Sequence, residues 1–465
     1  MKYLVLFFII AIPTALLIRD IDNPMYSFIG DEYQFYVDAK KVAHDVTIAN
    51  IFSLSGVYGY HPVADTFLQA GVMKIIGTNL VGWKFSNILV MTVSTIFIYL
   101  IAQTLWQTST TSIVASVFFA FSHYLFAFAH IGYNNLHALV PALAGYYFYC
   151  LFLTKKQTFF LIATGLCAGF CFYTFYSARI ITGLLLLFAM SHGRKFFGFL
   201  IGMFLPLLPL LAINKNKLFL DMFDPTITKI QTPVVFMQNY IQFLRGLIDK
   251  TVVPTHHFVV GPLVSPILLL LFFLAVVITL RKKSLVSHAH TLFILWFFTT
   301  STIIVWSFFQ SSIPITRLHI IVVPMALLGA YALTKITRSY IIICLVSALY
   351  AISELYIFYA IMPTRYPLTP STLVLQIAKE HPTELVCIGP NQYKDLWFLF
   401  EANQVSTIRP WPIGDLSSPP CDIVIAPIWD TDQALFTQQF STSYEGKSQF
   451  TFFDAAKRTH ITYYR

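Results

Sequence analysis

Residues 196–213 read FFGFLIGMFLPLLPLLAI, a stretch without a charge that follows directly on Arg194-Lys195. An uncharged apolar run of about 17–25 residues is what a helix needs to cross a bilayer. A basic pair at its start marks the end that stays in the cytoplasm. Working outward from this stretch, similar runs recur at roughly 3–18, 84–103, 111–128, 134–153, 158–175, 178–191, 262–280, 290–309, 317–334 and 339–362. The expected fold is therefore mainly α: a polytopic transmembrane helical bundle of about eleven spans. The sixth run, 178–191, is short, and it is open to merging with the fifth as a re-entrant pair.

Composition agrees with that reading. Of 465 residues 57% are hydrophobic and 11% charged, whereas soluble domains carry about 25% charge. Phe 45 and Tyr 25 suit lipid-facing helices and interfacial aromatic belts. The net charge of +9 does not point to nucleic acid, because the cations fall in short clusters between apolar runs. Those clusters, Lys155-Lys156, Arg194-Lys195, Arg281-Lys282-Lys283 and Lys335 with Arg338, all fall on one side when the runs are threaded in order. That side is the cytoplasm. The acids check the threading independently: none lies between Asp65 and Asp221 or between Asp249 and Glu354. Every acid but Glu354 falls in a segment assigned to the other side. The N-terminus is expected in the cytoplasm, on an uncleaved first helix, and the protein in the cell membrane.

Two outer segments are long, 19–83 and 214–261. Within the first, Asp31–Asp45 reads as an amphipathic helix, with Tyr33, Phe35, Tyr36, Val37 and Val42 set against Lys40, Lys41 and Asp45. After Pro363 the composition changes. Strand-like Leu385–Ile388 and Ile423–Ile425, a helical run near Lys394–Glu401 and turns at Gly389-Pro390 and Ser417–Pro420 give a small α/β domain over 363–465, placed outside the cytoplasm. Residues 1–362 form the membrane domain. Cys150, Cys167, Cys171 and Cys344 lie in apolar runs as inert thiols. For Cys387 and Cys421, two buried thiols are preferred to a disulfide. No Cys/His spacing suggests zinc.

The candidate chemistry lies on the outer side. Asp31-Glu32 opens the amphipathic helix. Adjacent carboxylates suit a general base or a cation ligand; they equally suit a helix N-terminus. His61, in Tyr60-His61-Pro62, is either a donor to phosphate or a structural histidine. His130 through His137, which includes Tyr133 and Asn134, is a polar knot between two apolar runs, where polar groups are costly and often functional. It also fits a tight turn. Tyr176 and Arg179, then Arg317 and His319, stand at outer helix ends. Arginines there oppose the positive-inside trend. They are either snorkelling anchors or guanidinium partners for phosphate.

The ordered set — Gly30-Asp31-Glu32 with Tyr36, His61-Pro62, Ile131–Asn135, Tyr176–Arg179 and Arg317 — resembles the polytopic glycosyltransferases of the C superfamily. The likeness covers about residues 1–340 and is nearest the bacterial and archaeal branch akin to protein O-mannosyltransferases and the lipid A aminoarabinose transferase. That resemblance implies a polyprenyl-phosphate sugar donor, an inverting transfer to an acceptor protein, lipid or glycan, and a first-loop carboxylate as base. Carried over, Asp31 is the catalytic base, Glu32 supports it or a metal, and Arg179 and Arg317 meet phosphate. His61, His130, Tyr133, Asn134, Tyr176 and His319 join them as substrate-binding candidates. Two departures stand out: His130 where many members have arginine, and no acid near Asn134. The second disfavours a two-carboxylate site for a divalent cation, so metal-independent transfer is expected. The competing reading is a transporter or flippase. Such proteins usually place ionisable groups near the midplane, whereas here the acids gather in outer segments. A third reading, a non-catalytic assembly protein, would leave Asp31 dispensable.

Overall fold

The structure is a computed structural model that describes residues 2–23, 32–57, 61–214, 232–249, 262–281, 292–301 in part, 315–365, 370–410, 421–426, 449–453 and 460–464. Asp31 lies just outside the described residues.

Ten of the eleven apolar runs fold as helices, and the run 290–309 lies largely outside the described residues: α1 (Lys2–Arg19), α4 (Leu80–Trp106), α5 (Ser109–Ala120) with α6 (His123–His130), α7 (Leu139–Lys155), α8 (Thr158–Phe170), α9 (Ser177–Met190), α10 (Phe196–Asn214), α12 (Pro266–Leu280), α13 (Val322–Ile336) and α14 (Tyr340–Tyr356). Between them, α2 (Glu32–His44), α3 (Val63–Ile76) and α11 (Pro233–Gly246) fall in the long segments 19–83 and 214–261. Among the described residues, five helical stretches are long and apolar enough to cross a membrane, and six if the pair α5–α6, bent by 53°, counts as one. Four further apolar helices are shorter, including α8 and α9. Helix length alone therefore gives fewer spans than the eleven apolar runs. The runs include capping and turn residues that are apolar but not helical, such as the bend before His123 and the 3-10 turn Cys171–Tyr173.

α8 and α10 pack backbone to backbone. A Cβ on Gly165 would sit 2.0 Å from the Phe199 carbonyl oxygen, and one on Gly202 2.1 Å from that of Ile162. With Gly169 and Gly198 these make a small-xxx-small stripe on each helix, the arrangement that lets helices approach closely in lipid.

α2 buries Phe35, Tyr36, Ala39, Val42 and Ala43 and packs on α3 and α4. Of the expected apolar face, Phe35, Tyr36 and Val42 are buried, Val37 is half-buried and Tyr33 is exposed, with helix bounds one residue inside those expected. At the far end of the chain, α15 (Pro370–Glu380) and α16 (Pro390–Ala402) accompany a five-stranded sheet, with strands β1 (Val386–Ile388), β2 (Ile408–Pro410), β3 (Ile423–Ile425), β4 (Gln449–Phe453) and β5 (His460–Tyr464) in the order β2-β1-β3-β5-β4. β1 runs parallel to β2 and β3, and β5 antiparallel to β3 and β4. This unit has its own apolar core, with Leu373, Ile377, Val386, Ile423 and Phe400 in it.

Cys387 and Cys421 form a disulfide, which corrects the expectation of two free thiols. The β1–β3 register places Val386 opposite Ile423, so the cysteines come within 5.8 Å Cα to Cα, inside the bonding range. The adjacency of β1 and β3 depends on a crossover connection, which cysteine spacing does not reveal.

Candidate functional site

The turn 131–135, between α6 and α7, is fastened from three helices. The Glu32 carboxylate accepts the backbone N–H of Gly132. The Gln69 amide donates to the Gly132 carbonyl at 2.7 Å, and Asn87 donates to the carbonyls of Phe128 and Tyr133 at 3.2 and 2.9 Å. Gly132 lies flat on Trp83, whose ring atoms would be 2.3 Å from a Cβ. No side chain fits there, so glycine is required for packing. Glu32 is wholly buried and shares its surroundings with Lys84, also wholly buried, on the first turn of α4. A bare carboxylate or ammonium away from water would be costly, and each offsets the other. Glu32 thus acts as a clasp between α2, α4 and the turn.

On the other side of the turn lies an aromatic and cationic cluster. The His61 ring stacks on Phe175 at 5.9 Å and meets Phe35 edge-on at 4.9 Å, with Tyr133 and Tyr176 at 6.4 and 5.9 Å. The Arg179 guanidinium, buried at the start of α9, lies 4.6 Å from the Tyr176 ring and 5.6 Å from Phe172. Burial, with the positive charges of Arg317 and Arg179, pushes the His61 pKa down to about 3. The imidazole is neutral at physiological pH. His61, Tyr133, Tyr176 and Arg179 are thus brought together, and the positive charge of Arg317 acts on His61.

Arg179 also acts on Asp65 of α3. Asp65 is buried and bonds His137 Nδ1 at 3.0 Å. Burial raises the Asp65 pKa above the usual carboxylate range, against the pull of His137 and then Arg179. His137 stands on the 3-10 turn Asn134–Ala138, where side chains three apart eclipse. Asn134 and His137 therefore share a face. Asp65 Oδ2, His137 Nε2 and both polar atoms of the Asn134 amide have no hydrogen-bond partner among the described residues. Each such buried group costs about 1–3 kcal/mol. That many in one place marks a surface built for a ligand or water. Asp65 and His137 line an otherwise apolar cavity of about 450 Å³ between α3, α4, α7 and α8.

The remaining residues sit apart. His130 is buried, bonded to the Phe126 carbonyl at 3.1 Å and 4.8 Å from the Phe358 ring. Its charged neighbours are Lys84, Asp20 and Arg19, so it belongs with the Glu32 clasp. His319 bonds the Thr316 carbonyl at 3.1 Å, and Asn135 donates to the same carbonyl at 3.1 Å. Lys84 was missed from the sequence, although a lysine at the outer end of an apolar run opposes the positive-inside trend as Arg179 and Arg317 do. Asp65 and His137 were visible as polar residues in apolar surroundings, but nothing in the sequence pairs them. No group of three or more His, Cys, Asp or Glu that could hold a metal occurs among the described residues.

The class is an integral membrane protein whose helical fold is similar to that of solved aminoarabinose transferase structures, and the chain resembles the mannosyltransferase and aminoarabinose transferase branch of membrane glycosyltransferases. Residues 60–213 match the family described as dolichyl-phosphate-mannose-protein mannosyltransferase, a stretch that holds His61, the 131–135 turn and Arg179. The whole structure is similar to ArnT from Cupriavidus metallidurans bound to undecaprenyl phosphate, with a TM-score of 0.55 at 10% identity over 98% of this chain and 97% of that one. It is similar to the apo state of the same ArnT, with a TM-score of 0.52 at 10% identity and the same coverage. An apo oligosaccharyltransferase from Archaeoglobus fulgidus aligns over 87% of this chain and 64% of its own, with a TM-score of 0.44 and 11% identity. No curated protein matches by sequence.

Proposed function

We propose that the protein is a membrane glycosyltransferase that moves a sugar from a polyprenyl-phosphate donor to an acceptor hydroxyl on the non-cytoplasmic face. The observation that carries this reading is the buried Arg179 at the aromatic cluster around a neutral His61, with the positive charge of Arg317 also acting on that imidazole. Two cations there suit the phosphate of the donor, and the uncharged imidazole adds one hydrogen bond without competing for the anion. The fold shared with ArnT over nearly its whole length supports it.

In this reading the acceptor oxygen attacks the anomeric carbon as the Asp31 carboxylate takes its proton. The bond from that carbon to the phosphate oxygen breaks on the opposite face, so configuration inverts. The electron pair leaves with the lipid phosphate, whose charge Arg179 and Arg317 receive. Glu32 and Lys84 hold the start of α2 against the 131–135 turn. The partnerless atoms of Asn134, His137 and Asp65 suit sugar hydroxyls, which both donate and accept. His319 and His130 support the turn and its neighbours.

The topology follows the same reading. The C-terminal α/β unit touches the first outer segment through Lys40 with Glu401, and through Lys379 with the Asp22 carbonyl at 3.1 Å. Its disulfide suits an oxidising compartment. Both features support an extracytoplasmic domain over 363–465 and a cytoplasmic N-terminus.

The test is transfer from a labelled polyprenyl-phosphate sugar by purified protein, wild type against Asp31→Asn. A loss of about 10²–10⁴-fold is expected for a general base. A well-folded Asp31→Asn protein with wild-type turnover would sink the mechanism, and movement of lipid-linked sugar across liposomes without transfer would favour a flippase.

A further inference from the structure

The opposite end of the bundle holds a second cavity, a polar one, lined by none of the residues of the candidate site. It has a volume of about 300 Å³ and lies where the α4–α5 loop meets the α13–α14 loop. Its wall includes Trp106, Thr111, Tyr331, Lys335, Arg338 and Tyr340. The sequence assigns this end to the cytoplasm by its basic loops.

The cavity is built rather than left over. Trp106 stacks on Tyr331 at 5.4 Å with planes 21° apart, closing one side. Thr111 bonds Thr108 at 2.7 Å and Thr334 at 3.0 Å, tying the loops together. Lys335 Nζ lies 5.8 Å from the Tyr331 ring centroid, so its ammonium stays by the cavity instead of reaching away from it.

Every charge around it is positive. Lys335 and Arg338 make no ion pair with the described acids, and no Asp or Glu occurs in residues 66–220 or 250–353. Two helices also begin here. First-turn residues Thr110 and Thr111 of α5 and Tyr340 of α14 line the wall. Neither helix has its N-terminal N–H groups capped by a side chain: Thr108 spends its hydroxyl on Thr111, and Ser339 makes no cap bond. Uncapped N–H groups carry the positive end of the helix dipole. Two cations and two helix starts thus converge on one cavity without a counter-charge.

We propose that this cavity binds a phosphate monoanion or phosphodiester at the cytoplasmic membrane surface. The group is supplied either by the headgroup of an anionic phospholipid or by free phosphate. The size is at the lower end of the roughly 300–1,000 Å³ usual for ligand sites. The flanking Trp106 and Tyr340 suit the interface where headgroups lie, and basic pockets between helices on this side are suited to anionic headgroups.

The experiment uses the full-length protein in detergent, delipidated, with native mass spectrometry as the readout. One arm adds phosphatidylglycerol or phosphatidylcholine, and the other adds inorganic phosphate alone. Wild type is compared with the double variant Lys335→Gln/Arg338→Gln and with Lys155→Gln/Lys156→Gln, which removes an equal charge from another basic loop. Selective retention of phosphatidylglycerol that falls roughly 30-fold in the first variant only supports a lipid headgroup. The same pattern with inorganic phosphate supports the free anion. Equal binding by all three proteins, or an equal fall in both variants, overturns the site. Thermal unfolding of each variant at the wild-type midpoint establishes that a fall reflects binding and not misfolding.

Discussion

Two buried histidine–carboxylate pairs lie inside this bundle, and they are finished differently. His123, at the bend between α5 and α6, has both ring nitrogens engaged: Nδ1 with Glu354 of α14 and Nε2 with the Pro262 carbonyl at 2.8 Å. The same carboxylate oxygen accepts the His123 backbone N–H at 2.7 Å. His137 and Asp65 share one hydrogen bond, and their other atoms, Nε2 and Oδ2, have no partner among the described residues. The first pair is closed and ties a broken span to α14. The second is open and borders a cavity. A saturated pair fits a structural role, and an unsaturated one fits waiting for a ligand.

The sharpest way to break the comparison is to remove one partner from each pair. Glu354→Leu strands a buried imidazole, and we expect a loss of about 3–5 kcal/mol in stability, measured by thermal unfolding in detergent. The double variant His123→Leu/Glu354→Leu should be less harmed than the single one. A single variant that melts with wild type would remove the structural role. Asp65→Asn should behave oppositely. It keeps an oxygen for His137, so stability should change by less than about 1 kcal/mol. Transfer should fall by roughly 10–150-fold if the carboxylate meets a sugar hydroxyl, the value of a charge-assisted hydrogen bond. Unchanged transfer in Asp65→Asn would make the two pairs alike.

Acid gives a third, smaller lever on the open side. The folded His61 pKa is about 3, below the ordinary value near 6.5. The unfolded chain therefore binds a proton that the folded one refuses, and stability falls as pH drops from about 6.5 toward 3. At pH 5 the loss is about 2 kcal/mol relative to pH 8. His61→Gln should flatten that limb. A polyprenyl phosphate bound beside Arg179 and Arg317 should flatten it in wild type as well, because an anion favours the charged imidazole. An acid limb of equal slope in wild type and His61→Gln would assign it to other groups.

How much of this was legible in the sequence follows from what each feature depends on. The helices and most of the inner face of α2 rest on local pattern, so a single chain displays them. Glu32 was legible as a carboxylate near Asp31 but not as the acceptor of the Gly132 N–H, because that contact joins residues a hundred positions apart. Lys84 reads as the rim of an apolar run until α2 brings Glu32 beside it. Gly165 and Gly202 look like helix weaknesses until each meets the other helix's backbone. β2, β4 and β5 were missed because their short runs acquire meaning only from strand neighbours. The joining of Cys387 to Cys421 required knowing that β1 lies next to β3.

The weakest expected effect lies where the α/β unit meets α2. Lys40 and Glu401 form an ion pair in which the carboxylate side chain is 42% exposed, and exposed pairs contribute about 0–1 kcal/mol. Lys40→Ala should therefore leave thermal stability nearly unchanged. Its use lies in what else moves. α2 carries Glu32 at its start and Lys40 two turns on, so a C-terminal unit that steadies α2 would affect the clasp without affecting global unfolding. Hydrogen exchange of the 34–43 amides should then rise in Lys40→Ala, with exchange in α8 and α10 unaltered. Should exchange in α2 stay at the wild-type level, the C-terminal unit is a passenger on α2, and the clasp at Gly132 alone holds the start of that helix.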